Sequence, residues 1–268
     1  MASTMIAVDG GDVWADDSGG DGPPLVLLHP GVGDSRIWAP VLAPLTARYR
    51  VIRYDARGFG QSPAATGNYS LLRDLIAVLD HVGVARAAFV GCSQGGASSL
   101  GLAIEQPERV SALVLLCPGI PGFPMTEEEQ AALIGQEAAA EIDAEFKRAL
   151  AAGDIDGIAA VARRMWAAAG DTPEVVEQTR SAARAWLSAA DFEEETPVFG
   201  RLGEIAVPAA LMVGDKDFPP LVESNRQAAA RIPGCEFLFV PGLDHFPPLR
   251  EPGLVLDLIT RTLARAGC

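Results

Sequence analysis

A serine that could act as a nucleophile lies in the segment Gly91-Cys92-Ser93-Gln94-Gly95-Gly96, among small residues. The apolar run AAFV precedes this segment and ASSLGLAIEQ follows it, an order that predicts a strand, a sharp turn and a helix. Such a turn brings the serine hydroxyl out at the end of a sheet, beside the positive end of the next helix. A lone Gly-x-Ser-x-Gly arises by chance in roughly one chain in ten of this size, so the prediction rests on this context.

A serine hydroxyl becomes a good nucleophile only when a base removes its proton, and the chain has three histidines that could serve. His29 ends an apolar run and enters a glycine-rich turn. His81 lies near the end of a predicted amphipathic helix, where a surface position is expected. His245 follows the last apolar run, in a loop of the kind that holds working groups at the carboxyl ends of strands in open α/β sheets. His245 is therefore the predicted base.

The third group of a hydrolytic triad is a carboxylate that accepts a hydrogen bond from the histidine. Asp215 and Asp217 both follow the apolar run AALMV. Because side chains alternate along an extended chain, both would point the same way, and spacing leaves the choice open. Asp244 is adjacent to His245 and is interpreted as a turn residue.

The elements that must position these residues are short apolar runs alternating with helical stretches. Continuous apolar runs are typical of strands covered on both faces, hence of a parallel α/β sheet. An antiparallel hairpin is predicted at 4–8 and 12–16, beside Gly10-Gly11. The other predicted strands are 25–28, 51–54, 87–90, 112–116, 209–213 and 236–240. The predicted helices are near 37–47, 70–82, 95–106, 220–231 and 252–265.

One long stretch, from Pro124 to Gly200, carries no strand-like run and is rich in alanine and glutamate, which favour helix. Gly153, Gly157 and the segment 170–173 are predicted breaks. The stretch is interpreted as a helical insertion that folds against the sheet. Its large apolar side chains could line a pocket or merely hold the insertion together. They are Phe146, Met165, Trp166, Trp186, Phe192 and Phe199.

Composition limits the class of protein. The chain has 268 residues, 49% hydrophobic and 21% charged, with a net charge of −14. A sizeable core is expected, and a nucleic acid or an anionic membrane is excluded as a partner because both would repel this charge. The first twenty residues resemble neither a signal peptide nor a membrane helix. The four cysteines show no paired spacing, so we expect reduced thiols in a cytoplasmic protein, with Cys268 exposed and no metal site.

Five motifs occur in a characteristic order: LLHPGVGDSRIW at 27–38, YDARGFGQS at 54–62, GCSQGG at 91–96, VGDKD at 213–217 and GLDHFPPLREP at 242–252. In this order and spacing the chain resembles the α/β-hydrolase superfamily over essentially its whole length. The resemblance implies a mostly parallel eight-stranded sheet flanked by helices. It divides the chain into a hydrolase core, residues 1–122 and 201–268, and a helical cap, residues 123–200.

The resemblance also implies site residues. Ser93 would be the nucleophile, His245 the base and Asp217 the acid, with Asp215 as the runner-up. The backbone N–H groups of Gly31 and Gln94 would form the oxyanion hole. Pro30 replaces the first glycine of the family's usual His-Gly-x loop, but the donor lies one residue later, so we expect the hole to survive.

Two further sets of residues are predicted to have structural or substrate-binding roles. The segment 55–62 is predicted to be architectural, with Asp55 and Arg57 tying a turn together. The residues predicted to line the substrate pocket lie beside the triad or in the cap. They are Trp38, Phe123, Met125, Trp166, Trp186, Phe218 and Phe246.

The predicted function is a serine hydrolase without cofactor or metal, which cleaves a small or medium, largely neutral ester or lactone through an acyl-enzyme. Its partner would be a small-molecule substrate. Two alternatives stay open from sequence. The same constellation can serve non-hydrolytic or carbon–carbon bond-cleaving chemistry, as in a lyase or cyclase, and a ligand-binding protein could keep the pocket without turnover.

Overall fold

A single mixed sheet forms the centre of the molecule, seen in a computed structural model that describes residues 2–188, 193 and 195–267. Within those residues the sheet has eight strands, in the order β1-β2-β4-β3-β5-β6-β7-β8. The hairpin pairs antiparallel, β2 pairs antiparallel with β4, and all other neighbours are parallel, which confirms the predicted fold. The strands are β1 (Ala2–Val8), β2 (Gly11–Asp17), β3 (Pro24–Leu28), β4 (Arg50–Tyr54), β5 (Ala87–Cys92), β6 (Val110–Leu116), β7 (Ala209–Gly214) and β8 (Glu236–Val240).

Helices cover both faces of the sheet and begin where the sequence carries start signals. Ser70 accepts a hydrogen bond from the Arg73 N–H, and Thr126 forms a capping box with Glu129, each satisfying a free N–H of the first turn. The helices are α1 (Ala39–Thr46), α2 (Leu71–His81), α3 (Gln94–Glu105), α4 (Glu127–Ile134), α5 (Gln136–Ala152), α6 (Ile155–Trp166), α7 (Pro173–Leu187), α8 (Pro219–Arg231), α9 (Pro247–Arg250) and α10 (Pro252–Arg265). Short 3-10 helices lie at Ser35–Trp38, Pro107–Arg109 and Phe199–Glu204.

The central strands are buried on both faces, as their apolar runs predict. Every residue of β5 and β7 is buried. The outer strand β8 is mostly half-buried. Since the N–H and C=O groups of β5 are paired on both sides, its carboxyl end is a rigid platform for the loop that follows.

Helices α4 to α7 occupy the insertion. Gly153 ends α5 in a left-handed conformation, and the segment 170–173 separates α6 from α7, as predicted. The predicted break at Gly157 is wrong, because this residue lies inside α6 and its N–H is bound by the N-cap Asp154. The break at Gly135, between α4 and α5, was not predicted. Phe192 lies outside the described residues.

The prediction that Asp55 and Arg57 tie a turn together in the segment 55–62 is confirmed for Asp55 and wrong for Arg57. Asp55 accepts hydrogen bonds from the N–H groups of Ser35 and Gln61. The Arg57 side chain instead reaches helix α2 and forms a buried ion pair with Asp74 at 2.7 Å. An arginine chain is long enough to leave its own turn, which sequence proximity does not reveal.

Cys92 and Cys117 are buried free thiols with their sulfur atoms 3.7 Å apart, and Cys235 is a half-buried free thiol. Cys268 lies outside the described residues. No helix in the described part of the chain is both long and apolar enough to cross a membrane.

Candidate active site

The turn after β5 holds Ser93 in a strained conformation. Its φ is 51° and its ψ −114°, a region that residues with a Cβ rarely adopt. Such strain costs on the order of 1–3 kcal/mol and persists only where the surroundings enforce it. Here the Ser93 N–H donates to Leu116 O, and the Ser93 carbonyl accepts from Ala97 and Gly119. Both β6 and α3 therefore hold the serine at this turn, at the positive end of α3.

The glycines around Ser93 allow this turn by their lack of a side chain. A Cβ placed on Gly91 would lie 2.3 Å from the Gly95 carbonyl oxygen. A Cβ on Gly95 would lie 2.3 Å from the Leu28 carbonyl oxygen, and one on Gly96 would lie 2.6 Å from the Pro118 Cβ. Real Cβ atoms do not approach other atoms this closely, so glycine is needed at 95 for α3 to pack against β3, and at 91 and 96 for the turn to lie against α3 and Pro118.

The loop after β3 places Gly31 beside the residue that follows Ser93. A Cβ on Gly31 would lie 2.6 Å from the Gln94 Oε1. Neither the Gly31 N–H nor the Gln94 N–H donates a hydrogen bond within the described residues. The two residues predicted for the oxyanion hole are thus neighbours with backbone donors available.

His29 supports this loop. Its Nδ1 lies 2.9 Å from the Pro30 carbonyl oxygen, and its Nε2 accepts a hydrogen bond from the Ala56 N–H at 2.9 Å. These partners require a proton on Nδ1 and none on Nε2. His29 is therefore a buried structural residue, and His81 is exposed at the end of α2, which leaves His245 as the candidate base.

His245 and Asp217 form a fully buried pair. The His245 Nδ1 lies 2.9 Å from each carboxylate oxygen of Asp217, and neither side chain is exposed to solvent. A carboxylate only accepts, so Nδ1 carries the proton and Nε2 keeps a free lone pair. The Nε2 atom is buried and without a hydrogen-bond partner in the described part of the chain.

The two loops that carry this pair are joined by backbone contacts. The Lys216 N–H donates to Leu243 O, and a Cβ on Gly214 would lie 2.0 Å from that oxygen. Asp215 points the other way, is exposed, and accepts from the Gly242 N–H at 2.6 Å. The structure therefore distinguishes the two aspartates: Asp217 orients the histidine, and Asp215 braces its loop.

His245 lies beside the strand end that carries Ser93. Its carbonyl oxygen is 3.9 Å from the Cys92 Sγ and 3.8 Å from the Cys117 Sγ. Burial, together with the neighbouring Cys92, raises the pKa of the Cys117 thiol well above its usual range. Cys117 therefore stays protonated, and it adds no negative charge next to the Asp217 carboxylate.

The insertion packs directly on this site. The His245 N–H donates to Trp166 O at 3.1 Å, and the indole and imidazole ring centres are 4.4 Å apart. The buried Asp244 carboxylate accepts from the Ala169 N–H at 3.1 Å and pairs with Arg250. It also accepts from the Phe246 N–H, which agrees with its interpretation as a turn residue. The end of α6 is thus bonded to the histidine loop.

Comparison with known proteins identifies this arrangement. The family model described as alpha/beta hydrolase fold matches residues 23–252. The chain belongs to the α/β-hydrolase fold family. The match spans most of the sheet, the serine turn, the insertion and the loops of Asp217 and His245.

Proteins similar to this α/β-hydrolase include an enol-lactonase in sequence, and a carboxylesterase and a lactone-degrading enzyme in structure. The chain is 29% identical over 225 residues to 3-oxoadipate enol-lactonase 2 of Acinetobacter baylyi. The alignment covers 80% of this chain and 79% of the relative. The structure of carboxylesterase CesB from Bacillus subtilis is similar with a TM-score of 0.79 at 20% identity, over 98% of this chain and 91% of that one. The structure of Est816, described as an N-acyl homoserine lactone degrading enzyme, is similar with a TM-score of 0.67 at 27% identity. The similarity covers 96% of this chain and 99% of that one.

The residues predicted to line the pocket divide into two groups in this hydrolase fold. Trp166, Trp186 and Phe218 are half-buried and line one cavity in the insertion, of about 330 Å³. Trp38 and Phe246 have no exposed surface and pack in the core, so they do not line a pocket as predicted. Both belong to a motif, but their elements turn them inward.

Phe123 and Met125 also lie apart from that cavity. The Phe123 ring packs edge-on against Phe199, with ring centres 4.9 Å apart. Met125 is half-buried, and its N–H donates to Phe123 O. Both residues belong to the chain segment that leads from the sheet into α4, where they anchor the start of the insertion.

A buried contact between α7 and the loop after β3 was not predicted. The Gln178 Oε1 accepts from the Asp34 N–H at 2.9 Å, and its Nε2 donates to the Asp34 carboxylate at 3.2 Å. Gln178 is 3% exposed, and a Cβ on Gly33 would lie 2.0 Å from its Oε1. A glutamine in an amphipathic helix carries no sequence signal for such a role, because its partner lies far away in the chain.

We expect Gln178→Ala to lower the free energy of unfolding by about 2 kcal/mol, because the buried Asp34 N–H loses its acceptor. The neighbouring Glu177 is exposed, and Glu177→Ala serves as the control, with a change below about 0.5 kcal/mol. Urea unfolding monitored by circular dichroism measures both. Equal effects of the two substitutions would show that Gln178 does not hold the loop.

The Asp34 carboxylate makes stability depend on pH. Its burial raises the pKa, but hydrogen bonds from Arg36 and Ser181 outweigh this and lower the pKa from 3.8 to about 2. Because the pKa of Asp34 is lower in the folded than in the unfolded state, its carboxylate stabilises the protein above the unfolded pKa. This stabilisation is lost as pH falls through about 2. The contribution is about 2 kcal/mol, at roughly 1.4 kcal/mol per pH unit.

We expect the difference in unfolding free energy between the unsubstituted protein and Asp34→Asn to be largest above pH 4 and to shrink towards pH 2. Urea unfolding at successive pH values measures this difference. Asp257→Asn, at an exposed carboxylate, is the control and should change stability by less than about 0.5 kcal/mol throughout. A pH-independent difference for Asp34→Asn would contradict the assignment.

Proposed function

We propose that this α/β-hydrolase is a serine hydrolase that cleaves a small or medium, largely neutral carboxylic ester or lactone through an acyl-enzyme. The observation that carries the proposal is the buried Asp217–His245 pair, whose Nε2 lacks a partner among the described residues. The backbone carbonyl of His245 contacts Cys92, the residue before Ser93. A buried imidazole with one nitrogen held by a carboxylate and the other free is arranged to accept a proton.

In the first half-reaction, the Ser93 Oγ attacks the carbonyl carbon as its proton passes to the His245 Nε2. The carbonyl oxygen becomes an oxyanion, which the N–H groups of Gly31 and Gln94 bind. Collapse of this intermediate breaks the ester bond, and His245 gives its proton to the departing alkoxide. Asp217 holds the imidazole in place and stabilises its charged form. The products are an alcohol, or the free hydroxyl of an opened lactone, and an acyl-enzyme.

In the second half-reaction, a water molecule loses a proton to His245 and adds to the acyl carbon. Cleavage of the acyl–oxygen bond returns the proton to Ser93 and releases the carboxylic acid. No redox step is involved. Each oxyanion donor is expected to supply about 3 kcal/mol of transition-state stabilisation, and the positive end of α3 adds to it.

The relatives support this choice of bond. The sequence relative from Acinetobacter baylyi and Est816 are both named for lactones, and CesB for carboxylic esters. Lactones and esters share a carbonyl carbon bonded to oxygen, the group that the triad and the oxyanion donors would act on. The helical cap, residues 123–200, would roof the site. The expected partner is a small-molecule substrate. The free thiols suit a cytoplasmic location.

A fluorophosphonate probe tests the nucleophile. We expect covalent labelling of the folded protein, located at Ser93 by peptide mass spectrometry and absent in Ser93→Ala. An unlabelled, folded protein would favour a ligand-binding protein. Incubation with a panel of neutral esters and lactones should also give carboxylic acid product. Labelling without turnover of any panel member would favour a lyase or cyclase on the same fold.

A further inference from the structure

The three residues that follow β6 contact all members of the proposed triad. The Gly119 N–H donates to the Ser93 carbonyl oxygen at 2.9 Å. The Cys117 Sγ, an Asp217 carboxylate oxygen and a His245 ring nitrogen lie within 4.8 Å of one another. A shift of these residues would therefore move the nucleophile relative to the acid and the base.

This segment, residues 117–119, is under backbone strain. Cys117 has a φ of 39°, in a region that residues with a Cβ rarely adopt. Strain of this kind persists only where the surroundings enforce it. One restraint is the Cys117 N–H, which donates to Met212 O of β7 at 2.7 Å. That bond fixes the start of the segment, and the position of the rest depends on what binds the Pro118 carbonyl.

A buried asparagine of α8 binds this carbonyl. The Asn225 Nδ2 donates to Pro118 O at 2.8 Å, and Asn225 has no exposed surface. A carbonyl oxygen only accepts, so the amide nitrogen must face it. The Asn225 Oδ1 is then buried without a partner among the described residues. Burying a free acceptor is unfavourable, so the donor of this amide explains its presence better than packing does.

Helix α8 also follows directly from the loop of the acid. It begins at Pro219, the second residue after Asp217, and Asn225 lies in its second turn. A helix of this length moves as one body, because each turn is bonded to the next. The Asn225–Pro118 hydrogen bond therefore joins the helix that follows the acid to the segment that braces the nucleophile.

We propose that Asn225 is a positioning residue for the reaction of Ser93, which holds the segment 117–119 so that the serine and Asp217 keep a fixed relative position. It acts through the Gly119 N–H that binds the Ser93 carbonyl, and not on the substrate. The proposal rests on the proposed function, because it assigns a residue to the same triad. Displacing a catalytic group by about 1 Å can lower a rate about a hundred-fold, so a loosened segment should slow attack by Ser93.

Two substitutions that remove the donor test the proposal. Asn225→Leu nearly keeps the side-chain volume, whereas Asn225→Ala leaves a cavity, so the two variants should differ in unfolding free energy. We expect both to slow fluorophosphonate labelling of Ser93 by about ten-fold or more per folded molecule, and to lower kcat on a neutral ester similarly. KM should stay within about three-fold, because no substrate contact is removed. Labelling of either folded variant at the unsubstituted rate would overturn the proposal.

Ser224→Ala is the matched control. Ser224 is the neighbouring buried side chain of α8, and its hydroxyl donates to Leu221 O within the helix at 2.9 Å. Its loss leaves the hydrogen bond from Asn225 to Pro118 in place, so the labelling rate and kcat should stay within about two-fold. Equal slowing in Ser224→Ala and Asn225→Leu would show that any change in this helix disturbs the site, and would also overturn the proposal.

The unsubstituted protein separates a failure of this proposal from a failure of the proposed function. If the folded, unsubstituted protein is not labelled at Ser93, the proposed function is contradicted and the positioning role with it. If it is labelled and the Asn225 variants react equally fast, only the positioning role is contradicted. Circular dichroism and urea unfolding give the folded fraction by which each rate is divided.

Discussion

Asp217→Asn is expected to lower kcat by about four orders of magnitude while leaving the fold intact. The amide has nearly the shape of the carboxylate, but its NH₂ group cannot accept the Nδ1 proton of His245. The imidazole would then adopt its other tautomer or rotate. The nitrogen that faces Ser93 would no longer have a free lone pair to accept the proton. Steady-state turnover of a neutral ester measures the loss, with circular dichroism to confirm folding.

Asp215→Asn is the matched control, because the same chemical change falls two residues away on the same loop. Asp215 accepts a hydrogen bond from the Gly242 N–H at an exposed site, and an asparagine oxygen can still accept it. We expect turnover within a few-fold of the unsubstituted protein. If Asp215→Asn were the more damaging change, the roles of the two aspartates would be reversed.

Gly95→Ala is expected to destabilise the protein by about 3 kcal/mol or more and to abolish labelling of Ser93. The added methyl would lie 2.3 Å from the Leu28 carbonyl oxygen, and both partners are rigid backbone. Helix α3 would have to move away from β3, which displaces the turn that holds Ser93 and the N–H of Gln94. Urea unfolding and fluorophosphonate labelling measure the two effects.

Gly101→Ala places the same methyl group in the same helix and serves as the control. The added Cβ would lie 3.8 Å from the Leu72 Cδ2, an ordinary contact. Because alanine favours helix over glycine by up to about 1 kcal/mol, we expect stability to stay equal or to rise. If both glycines tolerated alanine equally, close packing of α3 on β3 would not be what holds the serine turn.

The sequence predicts the elements of this fold well because its local signals agree. Each strand run is apolar and bounded by breakers, and the buried strands β5 and β7 match their predicted ranges within two residues. Gly157 does not break its helix, since a glycine near a helix start is tolerated when the N-cap Asp154 binds its N–H. A break signal therefore fails where a cap compensates for it.

The catalytic candidates were predictable to the extent that they follow strand ends. The chain order of Ser93 and His245 and their positions after strands indicate the candidate nucleophile and base from sequence. The choice of Asp217 over Asp215 came from resemblance, because spacing treats the two alike. The backbone contact between Lys216 and Leu243 gives the geometric reason, as it turns Asp217 towards His245 and leaves Asp215 outside.

The pocket was the least predictable part. Trp38 and Phe246 belong to motifs, yet they are core residues, whereas the residues of α5 that line the cavity belong to no motif. Gln178 and Arg57 likewise find partners on distant elements, Asp34 and Asp74. Which face of a helix meets which neighbour depends on packing among elements far apart in the chain.

By itself, the sequence determined the order of strands and helices, the site of the insertion, the serine turn and the histidine that could serve it. These follow from local patterns of apolar residues, glycines and caps, each effective over a few residues. Only the tertiary structure decided which aspartate meets His245, which aromatic rings form the cavity, and how the insertion is bonded to the loop after β3. Those contacts join residues separated by up to 144 positions, and no local energy term specifies them.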